Sequence, residues 1–188
     1  MARWKPNARS RLEKAALELY SERGFQQVTV AEIAHRAGLT ERTFFRHFAD
    51  KREVLFPADG QLQELLLGEL ANAPPSLSAL DAVEAGLEAA ATLLENRRPY
   101  ARKRHAVISA NAELQERERI KLASLASAVA DCLRRRGTSA SRAILAAEMG
   151  IAVFRIAIQR WIDDAKERDL AQIMRESLNE LKLVTAGK

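Results

Sequence analysis

The residues of this 188-residue chain best suited to chemistry lie between Thr29 and Lys51. Thr40-Glu41-Arg42-Thr43 opens a short helical segment and places three different polar groups side by side. An arginine fork matches O6 and N7 of guanine, a glutamate accepts from N4 of cytosine, and a threonine methyl fits against the methyl of thymine. His47 and Lys51 follow at distances suited to phosphate contacts, and Thr29 and Lys51 sit at helix starts, where free N–H groups favour phosphate. Each residue also has a plain structural role open to it: Thr29 and Thr40 as helix caps, Arg42 and Lys51 as solvated charges, His47 as a packed ring.

No other part of the sequence has the spacing of a reaction centre. The three histidines, His35, His47 and His105, and the single cysteine, Cys132, are widely scattered. There is no metal-ligand spacing, no glycine-rich phosphate loop, no nucleophile elbow and no paired-carboxylate site. The expectation is therefore a non-enzyme with no metal and no cofactor. A lone cysteine excludes an intramolecular disulfide, and Cys132 reads as an inert helical thiol.

The elements that must position these residues follow from periodicity. Leu12, Ala15, Ala16, Leu19 and Tyr20 form one face of a helix over 8–23, and Gly24 fits its C-terminal cap. Thr29 and Glu32 make a capping box for a second, short helix ended by Gly38. Thr40 caps a third helix, Glu41 to about Phe48, with Phe44 and Phe48 turned inward. Asp50, with Glu53 three residues on, is expected to cap a fourth, and Pro57–Gly60 to break or kink it. Two short helices around a turn containing Gly38 outline a helix-turn-helix. Beyond them, helices are expected from Leu62 to the Ala73-Pro74-Pro75 stop and over 78–96, with the basic segment Arg97–His105 continuing after Pro99. Further helices fall over 112–135, 140–162 and about 167–185, the last capped by Asp164. The 140–162 helix is apolar almost all round, its polar positions Glu148, Arg155 and Gln159 forming a narrow stripe, so it must be covered on more than one side.

The bulk properties agree. Hydrophobic residues make up 47% and aromatics 5%, a composition that favours a packed helical protein. The fold class expected is all-α: a three-helix head over 1–55 and a helical bundle over 56–188, about nine helices in all. The net charge of +5 is concentrated in the head, where residues 1–57 hold eleven Lys/Arg against seven Asp/Glu. That asymmetry suits a nucleic-acid partner, and Arg3, Lys5, Arg9 and Arg11 are expected to supply further phosphate attraction. No run of apolar residues is long enough to span a membrane, so a cytoplasmic protein is expected.

The stretch from Thr29 through Ala-Gly-Leu-Thr at the turn and Thr-Phe-Phe-Arg-His-Phe in the third helix to Lys51 and Leu55 resembles the DNA-binding domain of the TetR/AcrR family of repressors. The resemblance implies a ligand-responsive regulator that binds a palindromic operator as a homodimer, with a body that takes a small effector. It also adds Phe45 to the DNA-binding set. The family usually carries tyrosine there, whose hydroxyl contacts phosphate, whereas Phe45 has only a ring to pack against a sugar. One recognition helix reads too few bases to find a genomic site, so two heads on a symmetric dimer are expected, joined through the last two helices. Candidate effector-lining residues are Leu87, Leu94, His105, Ile108, Phe154 and Trp161, each equally suited to ordinary core packing.

Overall fold

In a computed structural model, residues 7–56, 60–166 and 168–187 are described below. The expected break at Pro57, Ala58 and Asp59 lies outside these residues, as do Arg3, Lys5 and Glu167. The chain divides into two compact units: Met1–Asp59 with Tyr100–Glu118, and Gly60–Pro99 with Arg119–Lys188. All regular structure among the described residues is helical.

The first unit begins with α1 (Ala8–Arg23), α2 (Val30–Arg36) and α3 (Glu41–His47). α1 stops at Gly24, whose φ of 81° sends the chain away from the helix while its N–H still reaches the Tyr20 carbonyl. The capping box of α2 is complete: the Glu32 N–H donates to Thr29 Oγ1, and the Thr29 N–H donates to Glu32 Oε2 at 2.8 Å. α2 ends in a Schellman motif, with the Leu39 N–H on the Ala34 carbonyl and the Gly38 N–H on the His35 carbonyl. Gly38 takes φ 63° there, a value that strains any side chain with a Cβ. Arg11 of α1 locks this turn from outside, its guanidinium donating to the Ala37 and Gly38 carbonyls.

After α3 the structure departs from expectation. Asp50 does accept from the Arg52 and Glu53 N–H groups like an N-cap, yet only a 3₁₀ turn, Glu53–Leu55, follows. An α-helix started at Asp50 would place Pro57 in its second turn, where proline has no N–H to donate and its ring opposes the carbonyl of residue 53. The core of this unit gathers Leu12, Ile33, Phe44, Phe48 and Leu55 with Ile108 and Leu114. The last two come from the far stretch Tyr100–Glu118, so that stretch is part of the head's own packing.

The second unit contains α4 (Gln61–Asn72), α5 (Ala79–Leu94) and a 3₁₀ turn, Glu95–Arg97, that leads into α6 (Arg98–Ser109). It continues with the greater part of α7 (Ala112–Arg135), then α8 (Ala140–Asp163) and α9 (Leu170–Thr185). At Gly86 a Cβ would lie 2.7 Å from the Leu66 carbonyl, so the absent side chain is what lets α5 approach α4. Arg136 closes α4, donating to the carbonyls of Leu70, Ala73 and Pro74 at 3.0, 2.6 and 3.0 Å. The buried face of α8 runs through Ala143, Ala147, Gly150, Phe154, Ala157 and Trp161. Asp164 terminates α8 and does not start α9: its carboxylate is held by the Arg168 N–H and guanidinium, and Asp169 caps α9 through the Gln172 N–H. No helix among the described residues is long and apolar enough to cross a membrane.

Candidate nucleic-acid interface

α3 is fixed from behind by aromatic packing. Phe44 has no exposed surface and Phe48 almost none, their rings 5.4 Å apart. Positions two residues from Phe44 lie about 160° round the helix from it. Those positions are Arg42 and Arg46, and both are exposed. Glu41 is also exposed, Thr43 is half-buried, and Thr40 is engaged as cap to the Thr43 N–H at 3.2 Å. Phe45 presents 55% of its surface and meets Phe44 edge-on at 5.5 Å.

The cations of the head separate sharply by what they touch. Arg9 pairs with Glu13 at 3.0 Å and lies over the Phe48 ring. Arg23 pairs with Glu32 at 2.6 Å, and Arg36 with Glu22 at 3.0 Å. Arg52 pairs with Asp50 at 2.6 Å and with Glu113 at 3.0 Å. These contacts hold carboxylates ionised: Thr29 and Arg23 together bring the Glu32 carboxyl down to about 2, and Arg52 lowers that of Asp50. Burial, with Asp50 nearby, pushes the Tyr20 phenol up, consistent with its hydroxyl donating to the Lys51 carbonyl at 2.6 Å. Among the described residues, Arg42 and Arg46 have no such partner, so the guanidinium groups left available in the three-helix region stand on the outward line of α3.

Thr29 and Lys51 are placed differently from Arg42. Thr29 is exposed but committed to its capping box. Lys51 Nζ donates to the Phe25 and Val28 carbonyls, each at 3.0 Å, and sits 4.4 Å from the Phe25 ring centre. His47 is half-buried, and its Nε2 is enclosed with no hydrogen-bond partner among the described residues. Arg46 is absent from the sequence-derived set, although its spacing of four from Arg42 was the available signal.

The candidate effector residues are divided between the two units. Leu87, Leu94, Phe154 and Trp161 belong to the second unit, whereas His105 and Ile108 belong to the first. Ile108 is part of the head's core, and His105 Nε2 lies 3.0 Å from Ser109 Oγ. Trp161 is wholly buried with the Arg98 guanidinium 5.0 Å from its ring, and its indole N–H lacks an acceptor among the described residues. No group of histidine, cysteine and carboxylate residues able to hold a metal occurs among them either.

α2 and α3, joined through the Gly38 turn and packed against α1, form a helix-turn-helix head in an otherwise helical chain. Residues 12–57 match the profile described as "Bacterial regulatory proteins, tetR family", and residues 77–185 match that of the "MftR C-terminal domain". The chain belongs to the tetR family. It is 36% identical to the HTH-type transcriptional regulator TcmR of Streptomyces glaucescens over 81 residues, 43% of this chain and 36% of that protein. It is 35% identical to the mycofactocin biosynthesis transcriptional regulator MftR of Mycobacterium tuberculosis over 104 residues, 55% of this chain and 52% of that protein. Each of these matches thus spans about half or less of the relative's length. In fold it resembles the transcriptional regulator FadR of Bacillus subtilis, solved with stearoyl-CoA, at a TM-score of 0.61 and 19% identity over 95% of this chain and 98% of that one.

Proposed function

We propose that this protein is a ligand-responsive repressor that binds a palindromic operator as a homodimer in the cytoplasm. The observation that carries the reading is the outward line of α3: Arg42 and Arg46 are exposed and unpaired while the opposite side is anchored by Phe44 and Phe48. In this reading Arg42 takes a guanine edge, Glu41 and Thr43 select the neighbouring bases, and Thr29, Thr40, Phe45, His47 and Lys51 set the helix on the phosphodiester backbone. Lys51 acts by fixing the loop over residues 25–28, given its carbonyl partners, and reaches phosphate only if those bonds exchange.

Dimerisation is assigned to α8 and α9. Ile144, Leu145 and Ile156 on α8, with Leu183 and Val184 on α9, are large apolar side chains between 46% and 74% exposed in the single chain. Such a concentration on two neighbouring helices is what a covered interface requires. An effector is assigned to the second unit, which holds the Trp161 indole N–H without an acceptor among the described residues, together with buried Leu87 and Phe154 and half-buried Leu94. The stearoyl-CoA in the Bacillus subtilis FadR structure is a precedent for an effector that carries a long apolar chain in this fold.

The test is to sequence genomic fragments retained by the purified protein. An inverted repeat enriched over bulk DNA is expected. Equal retention of all duplexes, governed by salt alone, overturns the reading.

A further inference from the structure

α8 carries a feature that the operator-binding reading does not use. Its outward face is not uniformly apolar. Leu145 and Ile156 are exposed on it, and between them lie Glu148, Ala152 and Arg155. Neither Glu148 nor Arg155 has a partner among the described residues. They are seven residues apart on one helix, a rise of about 10 Å, too far to pair with each other. Covering Leu145 and Ile156 covers these charges too, and a charge removed from water without a partner is strongly unfavourable. Whatever covers the face must therefore offer a base to Glu148 and an acid to Arg155.

A reversed copy of the same helix does this. Glu148 lies four residues before Ala152 and Arg155 three after it. When two α8 helices run antiparallel about a two-fold axis near Ala152, Glu148 of each comes opposite the partner's Arg155, and two equivalent ion pairs form at once. The interface is self-complementary in the sense that a two-fold demands. The small side chain of Ala152 permits the backbones to approach at the crossing, with Leu145 and Ile156 flanking it. A parallel copy in register sets Glu148 against Glu148 and Arg155 against Arg155. We propose that α8 dimerises with a second copy of this chain in an antiparallel register centred on Ala152 and fixed by reciprocal Glu148–Arg155 pairs. This rests on the homodimer reading above and goes further, to orientation and register.

The test uses the full chain and sedimentation equilibrium. Glu148→Arg alone and Arg155→Glu alone are each expected to weaken the dimer at least about tenfold, because each places like charges face to face. Mixing the two single variants should restore association, since the two bases that the first variant carries at these positions then meet the two acids of the second. Circular dichroism checks that both variants keep the helical content of the parent. In a Cys132→Ser background, Ala152→Cys should oxidise to a linked dimer, whereas Ser127→Cys on the exposed face of α7 should not. A dimer indifferent to both charge reversals, or one that fails to cross-link through residue 152, overturns the register and leaves the dimer standing. A parent protein that stays monomeric at micromolar concentration overturns the dimer and the register together.

Discussion

Arg117 Nε lies 2.5 Å from Glu53 Oε1, joining the first turns of α7 to the 3₁₀ turn that follows α3, across 64 residues of sequence. Two further arginines work alongside it. Arg52 reaches Glu113 at 3.0 Å, and Arg104 reaches Glu118 at 2.9 Å while donating to the Leu55 carbonyl at 2.8 Å. Residues 100–118 are thereby held to the segment that supports α3, by charge as well as by the burial of Ile108 and Leu114. Arg117→Ala should destabilise the head by about 1.5–3 kcal/mol, the usual range for a hydrogen bond to a charged group. Because Glu53 has other interactions, the pair is best isolated by a double-mutant cycle with Glu53→Gln, read from denaturation midpoints. A coupling energy near zero sinks the assignment.

Arg42 and Arg46 should separate by role when each is changed to alanine. Loss of Arg42 is expected to cost about 1–3 kcal/mol on the best site and to relax preference at one base pair. Loss of Arg46, if it serves a phosphate, should leave the preferred sequence unchanged and reduce the slope of log affinity against log salt by about 1. Binding titrations at several salt concentrations, combined with selection of sites from random duplexes, read both quantities. An unaltered site profile for Arg42→Ala removes it from the base-reading set.

Phe45 is exposed and carries no polar atom, in the position where the family resemblance places tyrosine. Phe45→Tyr adds a donor at the ring tip without disturbing Phe44. Operator affinity should rise by about 0.5–1.5 kcal/mol, the ordinary net value of one hydrogen bond. No gain in affinity, with thermal stability unchanged, would mean that this ring does not approach a phosphate.

Glu32 supplies a pH test. Its carboxyl falls from the usual 4.5 to about 2, chiefly through the Thr29 N–H and then Arg23. A group whose pKa is depressed by folding contributes stability that is complete above the unfolded value and is lost as pH falls through the folded one. The contribution of the α2 capping box should thus be full above about pH 4.5 and fade towards pH 2. Glu32→Gln should flatten that part of the stability profile. Thermal melts across this acidic range compare the two proteins, and parallel curves would show that the box does not titrate.

Gly86→Ala should destabilise the second unit by about 1–3 kcal/mol, because the new Cβ meets the Leu66 backbone and no side-chain rotation relieves it. A urea midpoint unchanged from the parent would mean that α4 shifts freely.

The helices up to α3 were legible in the chain itself because their signals are local: the Thr29–Glu32 box, Gly38 with Leu39, the Thr40 cap, and Phe44 with Phe48 four apart. A side chain reaching a backbone N–H three residues away requires nothing from the rest of the fold. The same local signal misled at Asp50, where the cap forms but a 3₁₀ turn follows in place of an α-helix and proline at 57 opposes its extension, and at Asp164, which ends α8 while Asp169 starts α9. What periodicity could not contain was which charges would find partners. Arg9, Arg11, Arg23, Arg36 and Arg52 look no different in sequence from Arg42 and Arg46. Only the approach of α1, α2 and the 50–56 segment to particular acids and carbonyls occupied the first five and left the last two free. Likewise, nothing near Ile108 or Leu114 announced that they join the core cluster that holds Phe44, because that association closes a loop of more than 60 residues, and local spacing carries no information about such closure.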